Sequence, residues 1–141
     1  MTKLLSINGI DVVQKDFQQI LIRGDGKDQF NQIVNKEISL YPPSKNLEIK
    51  INDKYIFAKN SFDQWTLVYL VEQNYREVLE LISNININDE ILASDYSYGQ
   101  VYFEISGKNR DEFLNKLTQF DLRKKKFQDF SMAQTLIARV D

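Results

Sequence analysis

One stretch of the sequence occurs twice: Ile22-Arg23-Gly24-Asp25-Gly26-Lys27-Asp28-Gln29-Phe30 and, 83 residues later, Ile105-Ser106-Gly107-Lys108-Asn109-Arg110-Asp111-Glu112-Phe113. Each copy follows an alternating run, turns at a glycine, and enters a helix-like run through an acidic residue and a phenylalanine. The repeat divides the 141 residues into two half-units, 1–88 and 89–141, which we predict to form one domain together. Because fewer residues follow the second copy, we expect its half-unit to be incomplete and to be completed by another element, such as a second chain.

The pattern around the two copies predicts strands interleaved with short helices. Alternating or β-branched runs predict strands at 17–23, 47–51, 55–58, 65–71, 91–95, 101–105 and 132–140. Helical spacing predicts helices at 27–38, 75–82 and 110–117, the second of them capped by Asn74, and residues 1–16 are expected to be a peripheral arm. Since the connections have hairpin length, we predict an α+β fold with helices on one face of an antiparallel or mixed sheet. It would consist of two ferredoxin-like β-α-β half-units, the second one short at its C-terminus.

The composition limits the chemistry that the chain can perform. The sequence has no histidine and no cysteine, so it lacks the commonest general acid-base side chain, thiol nucleophiles, disulfides and Cys/His zinc sites. Its formal net charge of -2 does not favour a nucleic acid or an anionic membrane as a partner. No apolar run approaches the ~20 residues of a membrane span, and residues 1–7 lack the features of a signal peptide. We therefore expect a cytoplasmic protein.

Two glycine-rich or basic segments could bind phosphate, but a structural role is the better interpretation of both. Gly24-x-Gly26 lacks the third glycine of a phosphate-binding loop, because residue 29 is Gln, and is interpreted as a strand-to-helix turn. The basic run at 123–126 could contact phosphates or a polyglutamylated ligand. Phe127 is the only aromatic residue that adjoins it, so a solvated loop or the charged rim of an interface is favoured.

A tyrosine cluster offers the other candidate pocket. Tyr96, Tyr98 and Tyr102, together with Asp95, could line a ligand site, although aromatic residues at alternate strand positions more often belong to a core or a sheet surface. No carboxylate pair suggests a tuned acid and base. The sequence therefore predicts no catalytic, cofactor-binding or metal-binding residues.

Several elements in the second half of the chain match the sequence pattern of a known protein family. The match covers about residues 57–141 and begins weakly, where Phe62-Asp63-Gln64-Trp65-Thr66-Leu67 is similar to that family's Pro-Asp-Glu-Trp-Leu-Leu pattern. It is carried further on by Ser94-Asp95, Glu104-Ile105-Ser106-Gly107, Asp111, Leu114, Lys116, Asp121-Leu122, Phe127 and Ala133-Gln134-Thr135-Leu136-Ile137-Ala138-Arg139-Val140. On these residues the chain resembles the gamma subunit of heterotetrameric sarcosine oxidase. It departs from that family at its basic run, where the family has a His-Pro-like turn, and the family continues past the Ala-Arg-Val strand with another strand and a helix.

The resemblance implies a fold similar to the folate-binding domain of the glycine-cleavage T-protein group. It also implies a small accessory chain in a complex that oxidatively demethylates sarcosine to glycine, with tetrahydrofolate as one-carbon acceptor. In such complexes the FAD, FMN, NAD and tetrahydrofolate lie in the larger subunits. We therefore expect no catalytic group and no cofactor in this chain, and we expect those larger subunits as its partners.

The interface is expected in the last predicted strand and the loop before it. Its candidate residues are Phe127, Phe130, Met132, Gln134, Thr135 and Leu136. Two other functions stay open. The chain could be a free-standing folate-binding protein of the T-protein group, with Asp95 or Glu104 binding the pterin. It could also be a homodimeric structural protein, because isolated edge strands can pair with each other across a two-fold axis.

Overall fold

The computed structural model describes residues 2–134 except 124, 128, 130 and 131. The described residues form eight strands and three helices: β1 Thr2–Ile7, β2 Ile10–Lys15, β3 Gln19–Arg23, α1 Asp28–Ile38, β4 Ile49–Ile51, β5 Tyr55–Ser61, β6 Gln64–Tyr69, α2 Tyr75–Asn86, β7 Leu92–Asp95, β8 Tyr102–Ser106 and α3 Arg110–Asn115. The strands make two antiparallel sheets. The predicted α+β class is confirmed.

Contacts between residues group the chain into two units. The core unit is Phe17–Gln100, and the hairpin unit combines Met1–Asp16 with Val101–Asp141. This grouping differs from the predicted half-units 1–88 and 89–141, because β2 near the N-terminus pairs with β8 from the second copy of the repeat. The assembly of the chain into one domain stays a prediction.

The core unit contains the ferredoxin-like arrangement. Its sheet has the strand order β4-β5-β6-β3-β7. Strands β3 and β5 are both antiparallel to the β6 between them, and the chain connects them through α1 and the edge strand β4. In the same way β6 and β7 flank β3, and α2 connects them. These are two interlocked split β-α-β motifs, so the arrangement predicted for each half-unit lies within residues 17–100.

One face of this sheet and both of its helices form the hydrophobic core. The register sets Ile22 opposite Trp65 and Ile20 opposite Leu67, so these side chains share a face. From α1 the core receives Phe30, Val34 and Ile38, which recur at helical spacing, and from α2 it receives Val78 and Ile85. The amphipathic pattern thus predicted the buried face of α1. In α2 it predicted the face only in part, because Tyr75 and Leu79, which share a helical stripe with Val78, are 56% and 42% exposed.

A local signal explains where α2 begins, and tertiary contacts explain why it runs past the predicted end at residue 82. The Asn74 side chain accepts a hydrogen bond from the Arg76 N–H at 2.9 Å, which confirms the predicted N-cap. At the other end, Ile85 is fully buried in the core, and the Asn86 amide bonds to both the N–H and the C=O of Ala93, at 2.6 and 2.8 Å. These contacts hold the last turn in place and also satisfy backbone groups on the outer side of β7.

The hairpin unit corrects the prediction of a peripheral arm at residues 1–16. Strands β1 and β2 form a hairpin around Asn8 and Gly9, whose φ angles of 53° and 74° fit a two-residue turn of the type that Asn-Gly favours. Strand β2 then pairs with β8 along five residues. The N-terminal segment therefore supplies the edge strand β1 and the central strand β2 of the three-stranded sheet β1-β2-β8.

The C-terminal predictions are met only in part. Helix α3 ends at Asn115 instead of residue 117. Of the strand predicted at 132–140, residues 132–134 are described and lie outside any strand, whereas 135–140 lie outside the described residues. Within the described part of the chain, no helix is long and apolar enough to cross a membrane.

Candidate functional site

The predicted interface residues fall partly within the described structure. The half-buried Phe127 ring meets the Phe120 ring edge-on, with 5.4 Å between the ring centroids. Met132 is half-buried and Gln134 is exposed. Phe130, Thr135 and Leu136 lie outside the described residues. The interface therefore stays a prediction.

Asp95 lies at the end of β7 in a small hydrogen-bonded cluster. Its Oδ1 accepts the Ser97 hydroxyl at 2.7 Å and the Ser97 N–H at 3.1 Å, and its Oδ2 accepts the Tyr75 hydroxyl at 3.0 Å. Partial burial raises the pKa of this carboxyl, but the hydrogen bonds from Ser97 and Tyr75 outweigh it, so the net pKa is lowered. The same bond to Asp95 raises the pKa of the Tyr75 phenol. Asp95 is thus a charged acceptor that anchors α2 to β7.

Of the three tyrosines predicted to accompany Asp95, two belong to the core unit with it, and both are exposed. Tyr98 is 99% exposed and Tyr96 is 37% exposed. Tyr102 belongs to the hairpin unit, whereas Asp95 belongs to the core unit. Tyr96 and Tyr98 lie in the turn after β7 and Tyr102 lies in β8, so only Tyr102 fits the alternative interpretation as part of a strand surface.

We expect the Asp95→Asn variant to lose less stability in acid than the wild type. A carboxyl whose folded pKa is lowered stabilises the fold above its unfolded pKa, about 3.9, and that stabilisation disappears as the pH falls through the folded value. Between about pH 5 and pH 3, urea unfolding should therefore show a shallower fall in the free energy of unfolding for Asp95→Asn. The Tyr75→Phe variant removes one of the donors and should give an intermediate slope; a wild-type slope in Asp95→Asn would contradict the assignment.

A shallow acidic cleft lies in the core unit beside the Gly24 turn, where β3 leads toward α1. Its larger lobe, of about 330 Å³, is lined by Arg23, Gly24, Asp25, Asp63, Asp89, Glu90, Ile91 and Leu92. A smaller lobe of about 160 Å³ shares Asp25 and residues 89–91 and adds Gln29, Phe30, Ile33 and Asn88. The sequence did not predict this cleft, because its carboxylates come from three separate loops.

The chemistry of the cleft supports the interpretation of Gly24-x-Gly26 as a turn. Asp25 accepts the Lys27 N–H at 2.9 Å, as in an ordinary Asx turn, and Asp63 accepts the Ser61 hydroxyl at 3.1 Å. Four carboxylates around one glycine turn repel a phosphate. In the described part of the chain, no group of three or more His, Cys, Asp or Glu side chains is placed to hold a metal ion.

The basic run at 123–126 is partly neutralised within its own loop. Arg123 donates from Nε and Nη2 to both carboxylate oxygens of Asp121, at 2.6 to 3.1 Å. These hydrogen bonds lower the pKa of Asp121 to about 2. Lys125 and Lys126 are exposed, and Lys124 lies outside the described residues. The arrangement fits a solvated loop better than a phosphate site.

The two acids suggested as pterin ligands are both engaged with protein groups. Glu104 makes an ion pair with Lys15, at 2.7 Å between Oε2 and Nζ. Asp95 is held by Ser97 and Tyr75. A pterin would have to displace these partners, so the contacts weigh against a free-standing folate site built on either residue.

Comparison with known proteins finds a likeness in structure and none in sequence. No protein-family model and no curated protein sequence matches the chain. Among solved structures it is similar to a chain of the heterotetrameric sarcosine oxidase from Corynebacterium sp. U-96 in complex with pyrrole 2-carboxylate, with a TM-score of 0.73 and 13% sequence identity. The match covers 89% of this chain and 64% of that chain, so the protein spans less than two thirds of the length of the one it matches. At this identity the likeness establishes a shared fold.

Proposed function

We propose that the protein is a non-catalytic accessory subunit, of the gamma type, in a sarcosine oxidase-like complex. The complex would oxidatively demethylate sarcosine to glycine, with tetrahydrofolate as the one-carbon acceptor. The proposal rests on the structural match to a chain of a heterotetrameric sarcosine oxidase over 89% of the protein. A fold similar to the T-protein folate-binding domain belongs to the same proposal.

The size of the matched chain supports an accessory role. The two covered shares, 89% of 141 residues and 64% of the other chain, correspond to a matched chain of about 200 residues. A polypeptide of that length makes one or two domains. It has little room for two flavins, a dinucleotide and a folate, so we place FAD, FMN, NAD and tetrahydrofolate in the larger partner subunits.

The side chains of this protein support the same division of labour. The sequence offers no imidazole and no thiol. Asp95 and Glu104 are hydrogen-bonded or ion-paired within the fold. Catalysis is therefore assigned to the partners, and the contribution of this chain is an interface that stabilises the larger subunits.

Affinity capture of the tagged chain from the cytoplasm of its own host tests this function. We expect it to recover larger chains that carry bound flavin, visible in the absorption spectrum and identified by mass spectrometry. The captured material should oxidise sarcosine in the presence of tetrahydrofolate. Recovery of the chain alone, or only as a homodimer, would contradict the proposal.

We expect the Met132→Asp variant to recover at least about tenfold less of the large subunits. Met132 is half-buried and belongs to the predicted interface, and a charge there would remain desolvated and unpaired at the contact. The readout is the ratio of large subunit to tagged chain, with circular dichroism as the check on folding. Leu136→Asp, outside the described residues, should act in the same direction.

The matched control for Met132→Asp is Phe62→Asp. Phe62 is 76% exposed in the turn between β5 and β6, so the same apolar-to-charged change should leave the recovery unaltered. If Met132→Asp, like Phe62→Asp, left the yield of large subunits unchanged, residues 127–136 would be excluded from the interface. The assignment as a subunit would still stand.

A further inference from the structure

The two copies of the repeat differ in how well their apolar positions are covered. In the first copy, Ile20, Ile22, Phe30 and Val34 are between 0% and 3% exposed. The residues 83 positions later are also apolar: Phe103, Ile105, Phe113 and Leu117. Of these, Phe103 is 52% exposed, Leu117 is 42% exposed, and the other two are only half-buried. The second copy therefore presents to solvent the positions that the first copy buries.

The exposed apolar positions of β8 lie on one face of the three-stranded sheet, together with apolar residues of β1 and β2. The register aligns Ile105 with Val12 and Val12 with Leu5, so their side chains share a face with Phe103. Leu5 is 37% exposed and Ile7, opposite Ile10, is 55% exposed. We call this surface the open face; it comprises Leu5, Ile7, Val12, Phe103 and Ile105.

The charged residues of β2 and β8 alternate to the other face of this sheet. Asp11, Lys15 and Glu104 occupy the intervening positions, and Lys15 pairs with Glu104 at 2.7 Å. None of the described residues of the hairpin unit counts among the buried apolar side chains of the protein. The open face is uncharged and, apart from Gln14 opposite Phe103, apolar, and it lies on a unit without its own described core. Exposed apolar faces of this kind are typical of surfaces that bind another polypeptide.

The first copy indicates which element covers such a face. There, α2 packs against the sheet with α1, and Val78 and Ile85 lie in one cluster with Ile20 and Ile22. In the hairpin unit, residues 116–123, 125–127, 129 and 132–134 follow α3 and include no helix or strand. The described second copy thus has its strand and its first helix without a counterpart of α2.

The net charges of the two units indicate which charge the polar side of a covering helix should carry. The hairpin unit has ten Lys and Arg residues and eight Asp and Glu residues, a net charge of +2. The core unit has eight Lys and Arg residues and twelve Asp and Glu residues, a net charge of -4. Within the core unit, α2 carries two acidic residues, Glu77 and Glu80, and one basic residue, Arg76. An amphipathic helix with an acidic polar side complements both the apolar open face and the positive net charge of the hairpin unit.

We propose that the open face binds an amphipathic helix with an acidic polar side, supplied by a partner chain, in the position that α2 takes in the first copy. Such recognition places the apolar stripe of a helix in an apolar groove. The inference rests on the proposed function, because the partner would be a larger subunit of the complex. It adds the kind of element that the partner contributes and the surface that receives it.

A peptide with the sequence of residues 74–87, which includes Asn74 as N-cap and the apolar stripe of α2, is the probe. Fluorescence anisotropy would follow its titration with the full chain, beside a scrambled peptide of the same composition without the stripe. We expect the α2 peptide to bind at least about tenfold more tightly than the scrambled one. Phe103→Asp and Ile7→Asp should each weaken its binding by a similar factor, whereas Phe62→Asp should leave it unchanged.

Several outcomes would overturn the docking surface: no binding of the α2 peptide, equal binding of the scrambled peptide, or undiminished binding in both Phe103→Asp and Ile7→Asp. The two variants change residues that are 52% and 55% exposed, so the chain should remain folded in each. Peptide binding at the open face without capture of large subunits would refute the proposed function and retain the docking surface. If Phe103→Asp and Ile7→Asp both still captured the large subunits, the docking surface would be refuted and the proposed function would stand.

Discussion

Replacing Trp65 with alanine is expected to lower the free energy of unfolding by about 3–5 kcal/mol. Trp65 is 1% exposed, and its ring packs against Phe30 with 4.6 Å between the centroids. Its Nε1–H donates to the Pro43 carbonyl at 2.9 Å, so truncation leaves both a cavity and a buried acceptor without its donor. Urea unfolding followed by far-UV circular dichroism measures the change.

Two further variants separate the parts of this effect. Trp65→Phe keeps an aromatic ring in the core and removes the bond to Pro43, which should cost about 1–3 kcal/mol. Phe62→Ala changes a neighbouring aromatic residue that is 76% exposed, and it should remain within about 0.5 kcal/mol of the wild type. A loss below about 1 kcal/mol in Trp65→Ala would mean that the core is not organised around this ring.

Helices α1 and α2 could be predicted from the sequence because their determinants are local. Phe30, Val34 and Ile38 recur at helical spacing, and all three are buried on one side of α1. Asn74 has the side chain that a helix N-terminus requires. The end of α2 was predicted too early because Ile85 and Asn86 are fixed by the core and by Ala93, which no local pattern contains.

The hairpin unit was harder to predict because its pairing is non-local. Asn8-Gly9 between apolar runs is a hairpin signal that was present in the sequence. Nothing local, however, indicates that β2 pairs with β8 some ninety residues later. The pairing of strands from the two ends of the chain is also what makes the observed units differ from the predicted half-units.

The surfaces that matter for function depend on the same long-range packing. Phe30 and Phe113 occupy equivalent positions of a repeat and have the same side chain, yet one is 3% exposed and the other is half-buried. Likewise, Asp25, Asp63 and Asp89 line one cleft although they are far apart in sequence. The repeat could be recognised in the sequence, but the burial of each copy could be seen only in the fold.

Gly107→Ala is expected to destabilise the hairpin unit by at least about 2 kcal/mol. Gly107 joins β8 to α3, at the position that Gly24 holds in the first copy. Its φ is +106°, a conformation that side chains with a Cβ rarely adopt, and a Cβ there would overlap the Gly9 carbonyl oxygen. Because the obstacle is backbone in the β1–β2 turn, the strain can be relieved only by moving the hairpin. Hydrogen exchange of the β2 and β8 amides should accelerate at least about tenfold.

Gly99→Ala is the matched control for Gly107→Ala. A Cβ on Gly99 would also overlap a neighbour, but the neighbour is the Tyr96 ring, which is 37% exposed and can turn aside. The φ of Gly99 does not lie in the positive range. We therefore expect Gly99→Ala to cost less than about 1 kcal/mol and to leave exchange in β2 and β8 unchanged. Equal exchange in the two variants would show that the β8–α3 turn does not depend on glycine.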